Sequence, residues 1–194
     1  MRILSTLFSA GLVALCGCGL LETRDPEPPG QSSSTFIPPT SPNIVLDNLV
    51  SAIRERNTDN YIKCLADSNF STRIFTFVPT QEAQSQYSIV FSSWSVGGER
   101  GYFENLKSRT PSTATTVLLF SNGTENNQSD SAVYTRGYVL HFEHNVAGVP
   151  QEARGTLQFY LATDRNQLWM IYRWVDVKGG SDFTWSDLKG RFSN

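Results

Sequence analysis

The sequence predicts an α+β domain, with N-terminal helices packed on an antiparallel β-sheet. Three observations predict it. Leu46, Leu49, Val50 and Ile53 fall at i, i+3, i+4 and i+7, the spacing of one helix face. From Thr115 onward the chain reads as successive strands rich in β-branched and aromatic residues. Two of these, Arg154 to Thr163 and Leu168 to Val177, are joined only by a short turn around Asp164-Arg165-Asn166, a hairpin-type connection.

The elements follow in order. Ser41-Pro42 opens the first helix, since serine caps and proline suits the first helical position. "RERN" (Arg54 to Asn57) is too polar to continue the apolar face. Thr58 or Asp59 caps a second short helix carrying Tyr61, Ile62 and Leu65. Ser71 to Val78 reads as a strand stopped by Pro79, and Tyr87 to Trp94 fits either a helix or a strand. Glu99 to Arg109 is helical, with Tyr102, Phe103 and Leu106 on its face and Pro111 beyond its end. Thr115 to Ser121 is a strand leading into "NGTENNQSD", read as a polar turn region, and Ala132 to His144 is a long strand. The tail "DFTWSDLKGRF" forms a last short helix with Asp182 or Thr184 near its start.

Composition narrows the function classes. The chain has 194 residues, enough for one domain with a real core. A formal net charge of −2 opposes a general nucleic-acid binder, which needs a basic surface to neutralise phosphates. Three cysteines exclude a disulfide scaffold. No phosphate loop, nucleophile elbow or dinucleotide fingerprint is present, so no cofactor is expected.

The N-terminus reads as a targeting segment. Arg2 precedes an apolar run from Ile3 to Leu15, which ends in Leu15-Cys16-Gly17-Cys18. This resembles the bacterial lipoprotein signal, with Leu15 in the apolar subsite, Gly17 as the small residue and Cys18 as the modified one. The resemblance implies a signal peptide over 1–17, cleavage between Gly17 and Cys18, and a diacylglyceryl thioether and an N-acyl chain such as palmitate on Cys18. Several acyl chains on one residue give stable anchoring. Gly19 rather than Asp follows, so by the same analogy nothing retains the protein at the inner membrane, and the expected place is the cell envelope at the outer membrane. The alternatives are an uncleaved span and simple secretion.

Residues 18–42 are expected to be a lipidated tether. Glu22 to Pro42 carries six prolines and no apolar periodicity, so it reads as an extended, solvated spacer. Its alternative is partial packing on the domain through Phe36 and Ile37.

In the domain expected over residues 43–194, the helix pair "NLVSAIRERNTDNYIKCLAD" and the final strand "LWMIYRWVD" resemble, over roughly Asn43 to Lys178, the nuclear transport factor two-like superfamily, also called SnoaL-like or cystatin-like. The resemblance implies a cone, in which helices cover a curved antiparallel sheet around an apolar cavity. In that superfamily, isomerases and dehydratases place an Asp or His base in the cavity. No such base transfers to this chain by motif.

Strand alternation assigns the faces. The side carrying Val139, Phe159 and Ile171 is expected to meet the helices. The other side carries Tyr138, Leu140, Phe142, Tyr160, Met170, Tyr172 and Trp174, too large an apolar patch to leave in water. Two outcomes stay open: this face pairs with a second copy or an envelope protein, or the C-terminal segment covers it through Phe183 and Trp185.

The candidate chemistry is sparse. His141 and Glu143 share a strand face at i, i+2, with Arg173 as a third member, and a His–carboxylate pair can act as a general base. The plainer reading is a surface ion pair at a strand end. "HFEH" places His141 and His144 on opposite faces, so no metal site is expected. Cys64 reads as a buried inert thiol. Trp94 with "SVGGERG" reads as a lid or simply as a turn before a helix.

The functional expectation is a membrane-anchored, non-catalytic binding or assembly module. It would use an apolar cavity for a small molecule, or the aromatic sheet face for a partner. The alternative is a small isomerase-like or dehydratase-like enzyme acting on an apolar molecule.

Overall fold

A computed structural model describes residues 35–180 and 183–193. The expected signal, Gly17, Cys18 and most of the tether lie outside the described residues. Among those described, no helix is long and apolar enough to cross a membrane.

Helix α1 spans Pro42–Glu55 and buries Val45, Leu46, Leu49, Ala52 and Ile53, the face its spacing announced. It ends where Arg56 turns left-handed (φ 52°), and the Arg56 guanidinium donates to the carbonyls of Pro111 and Ser112. Helix α2 (Thr58–Lys63) is capped by Asn57, whose side chain accepts from the Asn60 N–H, rather than by Thr58 or Asp59. The part of the expected tether that is described is not a free spacer. Asn48 receives the Ile37 N–H and donates to the Ile37 carbonyl, and the Trp169 N–H donates to Pro39.

Strand β1 is only Thr76–Val78. Helices α3 (Gln81–Gln86) and α4 (Ser88–Phe91) follow, so the stretch read as helix or strand is helix. Helix α5 spans Val96–Ser108. Then come β2 (Thr116–Asn127), β3 (Ser131–Phe142), β4 (Glu152–Thr163), β5 (Trp169–Val177) and helix α6 (Trp185–Phe192). The sheet order is β1-β5-β4-β3-β2, with β1 parallel to β5 and every other pair antiparallel. This is the expected α+β class: helices on a curved, mainly antiparallel sheet.

Two bulges shape the sheet. On β2 the register slips between Phe120 and Gly123 against β3, so the Asn122-Gly123 pair read as a turn lies within a strand. A Cβ on Gly123 would sit 1.8 Å from the Thr135 carbonyl oxygen, so only glycine fits. On β5, Tyr160 faces Arg173 while Leu161 faces Ile171, leaving Tyr172 as the extra residue. A bulge shifts the phase of alternation. Ile171 and Trp174, assigned to opposite faces by simple alternation, are both fully buried on the inner side.

The expected face assignment needs correction, on β5 because of this bulge and on β3 because the unbroken register with β4 pairs Tyr134 with Phe159 and so puts Tyr138, Leu140 and Phe142, not Val139, on the inner side. Tyr138, Leu140, Phe142 and Trp174 do not form an exposed patch but lie in the core. Phe142 meets Phe103 of α5, and both Tyr138 and Trp174 meet Trp185 of α6. Phe159 and Ile171 are buried as expected, whereas Val139 lies on the outer side and is partly exposed. Of the remaining three, Tyr160 and Tyr172 are half-buried, with the Arg173 and Arg73 guanidinium groups over their rings, and Met170 is buried. The open alternative, cover by the C-terminal segment through Trp185, is what the fold contains.

Candidate functional site

Helix α6 positions the centre of the molecule. Thr184 and Asp187 form a capping box, in which each side chain satisfies a backbone N–H of the other. On the helix, Trp185, Leu188, Lys189 and Phe192 fall at i, i+3, i+4 and i+7, so the ammonium-bearing stem of Lys189 points inward with three apolar neighbours. The same spacing recurs on α5. Glu99, Tyr102, Phe103 and Leu106 share its buried face, which directs the carboxylate inward. The two helices thus bring Lys189 and Glu99 together with both side chains 0% exposed.

The geometry of the pair is tight. Lys189 Nζ donates to Glu99 Oε1 at 2.5 Å. Trp94 Nε1 donates to the same oxygen at 2.8 Å, and the Tyr61 hydroxyl donates to Oε2 at 2.6 Å. The ammonium also lies 3.6 Å from the ring centre of Phe77 and 3.7 Å from that of Trp174. Trp94, Tyr102 and Trp185 stand about 6 Å away. Aromatic faces carry negative potential, so five rings and a carboxylate replace the water the ammonium gave up. Burial still dominates and lowers the Lys189 pKa to about 8, with Glu99 holding it up.

A second polar group adjoins it. Asp176 on β5 accepts from the Ser186 N–H and hydroxyl and from the Tyr138 hydroxyl. Burial raises the Asp176 pKa, and these three donors and Lys189 oppose the rise. The Tyr138 oxygen in turn accepts the Trp185 N–H at 2.7 Å, which ties the first turn of α6 to the sheet. The space between sheet and helices is thus filled by α6 and its partners.

An open cleft of about 840 Å³ lies elsewhere, lined by α2, residues 65–75, the start of α5 and the β4–β5 turn. Trp169, Met170 and Phe75 are buried in its floor, while Phe70 (50% exposed) and Ile74 (75%) stand at its edge. An Arg100–Asp59 ion pair (2.8 Å) and Lys63 supply charge at the rim. Phe36 and Pro39, from the segment held by Asn48, also line it.

The expected catalytic candidates are not assembled. His141 and Glu143 are 3.7 Å apart with about a third of each side chain exposed, on the outer side of the sheet. His141 pairs across β4 with Glu152 and Arg173 pairs with Tyr160, which places them about 26 Å apart along the strand at 3.3 Å per residue. This is the plainer reading of the pair, a surface contact. His144 is buried on the opposite side, its ring 5.0 Å from Phe192 and its Nε2 3.2 Å from the Pro150 carbonyl. Cys64 is buried, its thiol donating to the Asn60 carbonyl, and burial pushes its pKa well up.

Sequence reasoning missed Lys189 and Glu99. The signal was present: each is the one charged residue in an i, i+3, i+4, i+7 apolar stripe. Both segments were read as helices, but only Tyr102, Phe103 and Leu106 were assigned to the face of the first, and no face was assigned to the last.

No protein-family model matches the chain, and no curated protein matches it. Solved structures do. A nuclear transport factor two-like superfamily protein from Salmonella enterica superposes with a TM-score of 0.50 at 12% identity, over 71% of this chain and 88% of that one. A Kribbella flavida protein superposes with a TM-score of 0.51 at 8% identity, over 75% of this chain and 91% of that one. At such identities the likeness establishes the fold, and the fold is the nuclear transport factor two-like cone.

Proposed function

We propose that this cone-fold chain is a lipid-anchored protein of the bacterial cell envelope, held at the outer membrane through Cys18, and that its domain is a non-catalytic binding module. The observation that carries the binding role is the cleft of about 840 Å³ beside a filled cone interior. Its buried apolar floor and charged rim suit an apolar or amphiphilic ligand, since floors of this kind supply affinity and a few polar groups supply orientation. The Leu15-Cys16-Gly17-Cys18 signal supports the anchor. With Tyr138, Leu140, Phe142 and Trp174 in the core, the cleft replaces the sheet face as the recognition surface.

The test has two parts. Native mass spectrometry of the chain from Gly19, purified without detergent, is expected to retain an apolar small molecule. An Ile74→Asp variant, exposed and so expected to fold, should lose it. A ligand-free wild type, or retention unchanged in the variant, would exclude the cleft. For the anchor, cells fed an alkyne-labelled palmitate should label the wild-type chain and not a Cys18→Ala variant; equal labelling would exclude Cys18.

A further inference from the structure

The chamber around Lys189 Nζ combines aromatic faces with a single carboxylate. Phe77 and Trp174 present ring centres at 3.6 and 3.7 Å, three more rings stand at about 6 Å, and the Glu99 carboxylate closes one side at 2.5 Å. Glu99 also accepts from Trp94 Nε1 and from the Tyr61 hydroxyl, which orient its carboxylate. An aromatic box with one carboxylate is the general arrangement for recognising an ammonium group.

The occupant is carried by helix α6, which follows β5 and presents Lys189 on the face that fills the cone. We propose that the cone interior is a recognition site for a primary alkylammonium group, and that Lys189 occupies it as a tethered internal ligand. A free ligand of the same class competes with an intramolecular one, so in the intact protein the site stays closed while α6 is seated.

The experiment is chemical rescue. Lys189→Ala removes four atoms from the chamber, three carbons and the nitrogen, which n-propylammonium restores. In thermal melts of the full chain, n-propylammonium chloride is expected to raise the Lys189→Ala midpoint saturably, by roughly 3–6 °C at ten times its Kd. Neither n-propanol nor sodium chloride at equal concentration should do so, and the wild type, whose box is full, should not respond. A Glu99→Gln/Lys189→Ala variant should fold without the amine and ignore it. Equal responses to n-propylammonium, n-propanol and sodium chloride would overturn the proposal, as would an equal response in the double variant. If Lys189→Ala is recovered only from inclusion bodies, the same comparison is read as refolded yield, and equal yields with and without the amine overturn it.

Discussion

Replacing Lys189 with methionine keeps the stem volume and removes the charge. The carboxylate of Glu99, 0% exposed, then keeps only two neutral donors, Trp94 Nε1 and the Tyr61 hydroxyl. Breaking one side of a buried pair costs about 3–5 kcal/mol, because the remaining charge is left uncompensated. Loss of the cation–π contacts to Phe77 and Trp174 adds to this, and methionine sulfur against the same rings returns about 0.3–1.5 kcal/mol. The expected cost of Lys189→Met is therefore about 3–5 kcal/mol, or roughly 6–20 °C in Tm for a domain of this size. Glu99→Gln added to it removes the stranded charge while leaving an acceptor for Tyr61 or Trp94. The double variant should regain most of the loss. Urea melts followed by tryptophan fluorescence read this directly, because Trp94, Trp174 and Trp185 line the box. A single-variant cost under about 1 kcal/mol, or a double variant no more stable than the single, would refute the account of a charge-compensated interior.

Three further predictions follow from the same core. The Lys189 pKa falls from 10.5 to about 8 on folding, so between those values the unfolded chain binds the proton that the folded chain has released. Stability should then rise with pH from about 8 to 10, by at most about 1.4 kcal/mol per unit, and fall above it as the buried Tyr61, Tyr102 and Tyr138, all with raised pKa, resist ionisation. Urea midpoints across pH 7–11 check this, and a rise persisting in Lys189→Met would contradict the assignment to Lys189. Gly190→Ala should destabilise by about 1–3 kcal/mol, since the new Cβ would lie 2.3 Å from the Tyr87 ring; an unchanged Tm would show that the ring yields freely. Thr184→Ala, which opens the capping box of α6, should cost about 1 kcal/mol in a urea melt, whereas Ser41→Ala should cost much less because the Ser41 side chain makes no cap bond. Equal costs would show that cap geometry does not govern these helix ends.

Helices α1, α2, α5 and α6 and the succession of strands along the chain were legible because periodicity is a local property. The α1 face followed from Leu46, Leu49 and Ile53, and the α5 face from Tyr102, Phe103 and Leu106. Faces of the sheet were not legible, because the register between β3 and β4 is set by tertiary pairing and because period-2 counting survives only until a bulge. The extra residue at Tyr172 reversed the phase between Ile171 and Trp174, and the bulge near Gly123 turned an Asn-Gly hairpin signal into the middle of a strand. In the site, Lys189 and Glu99 each stood out against an apolar stripe, but nothing local said that the two stripes would meet.

By itself the sequence determined the α+β class, the face of α1 and the strand-rich second half. Each depends on residues within a turn or two of one another. The tertiary structure alone decided which aromatics are inside, that α6 fills the cone, and that Lys189 meets Glu99 across 90 positions of chain. The reason is physical. Burying an ammonium is favourable only when a carboxylate and ring faces converge on it together, and that convergence exists only once the helices and the bulged sheet have closed.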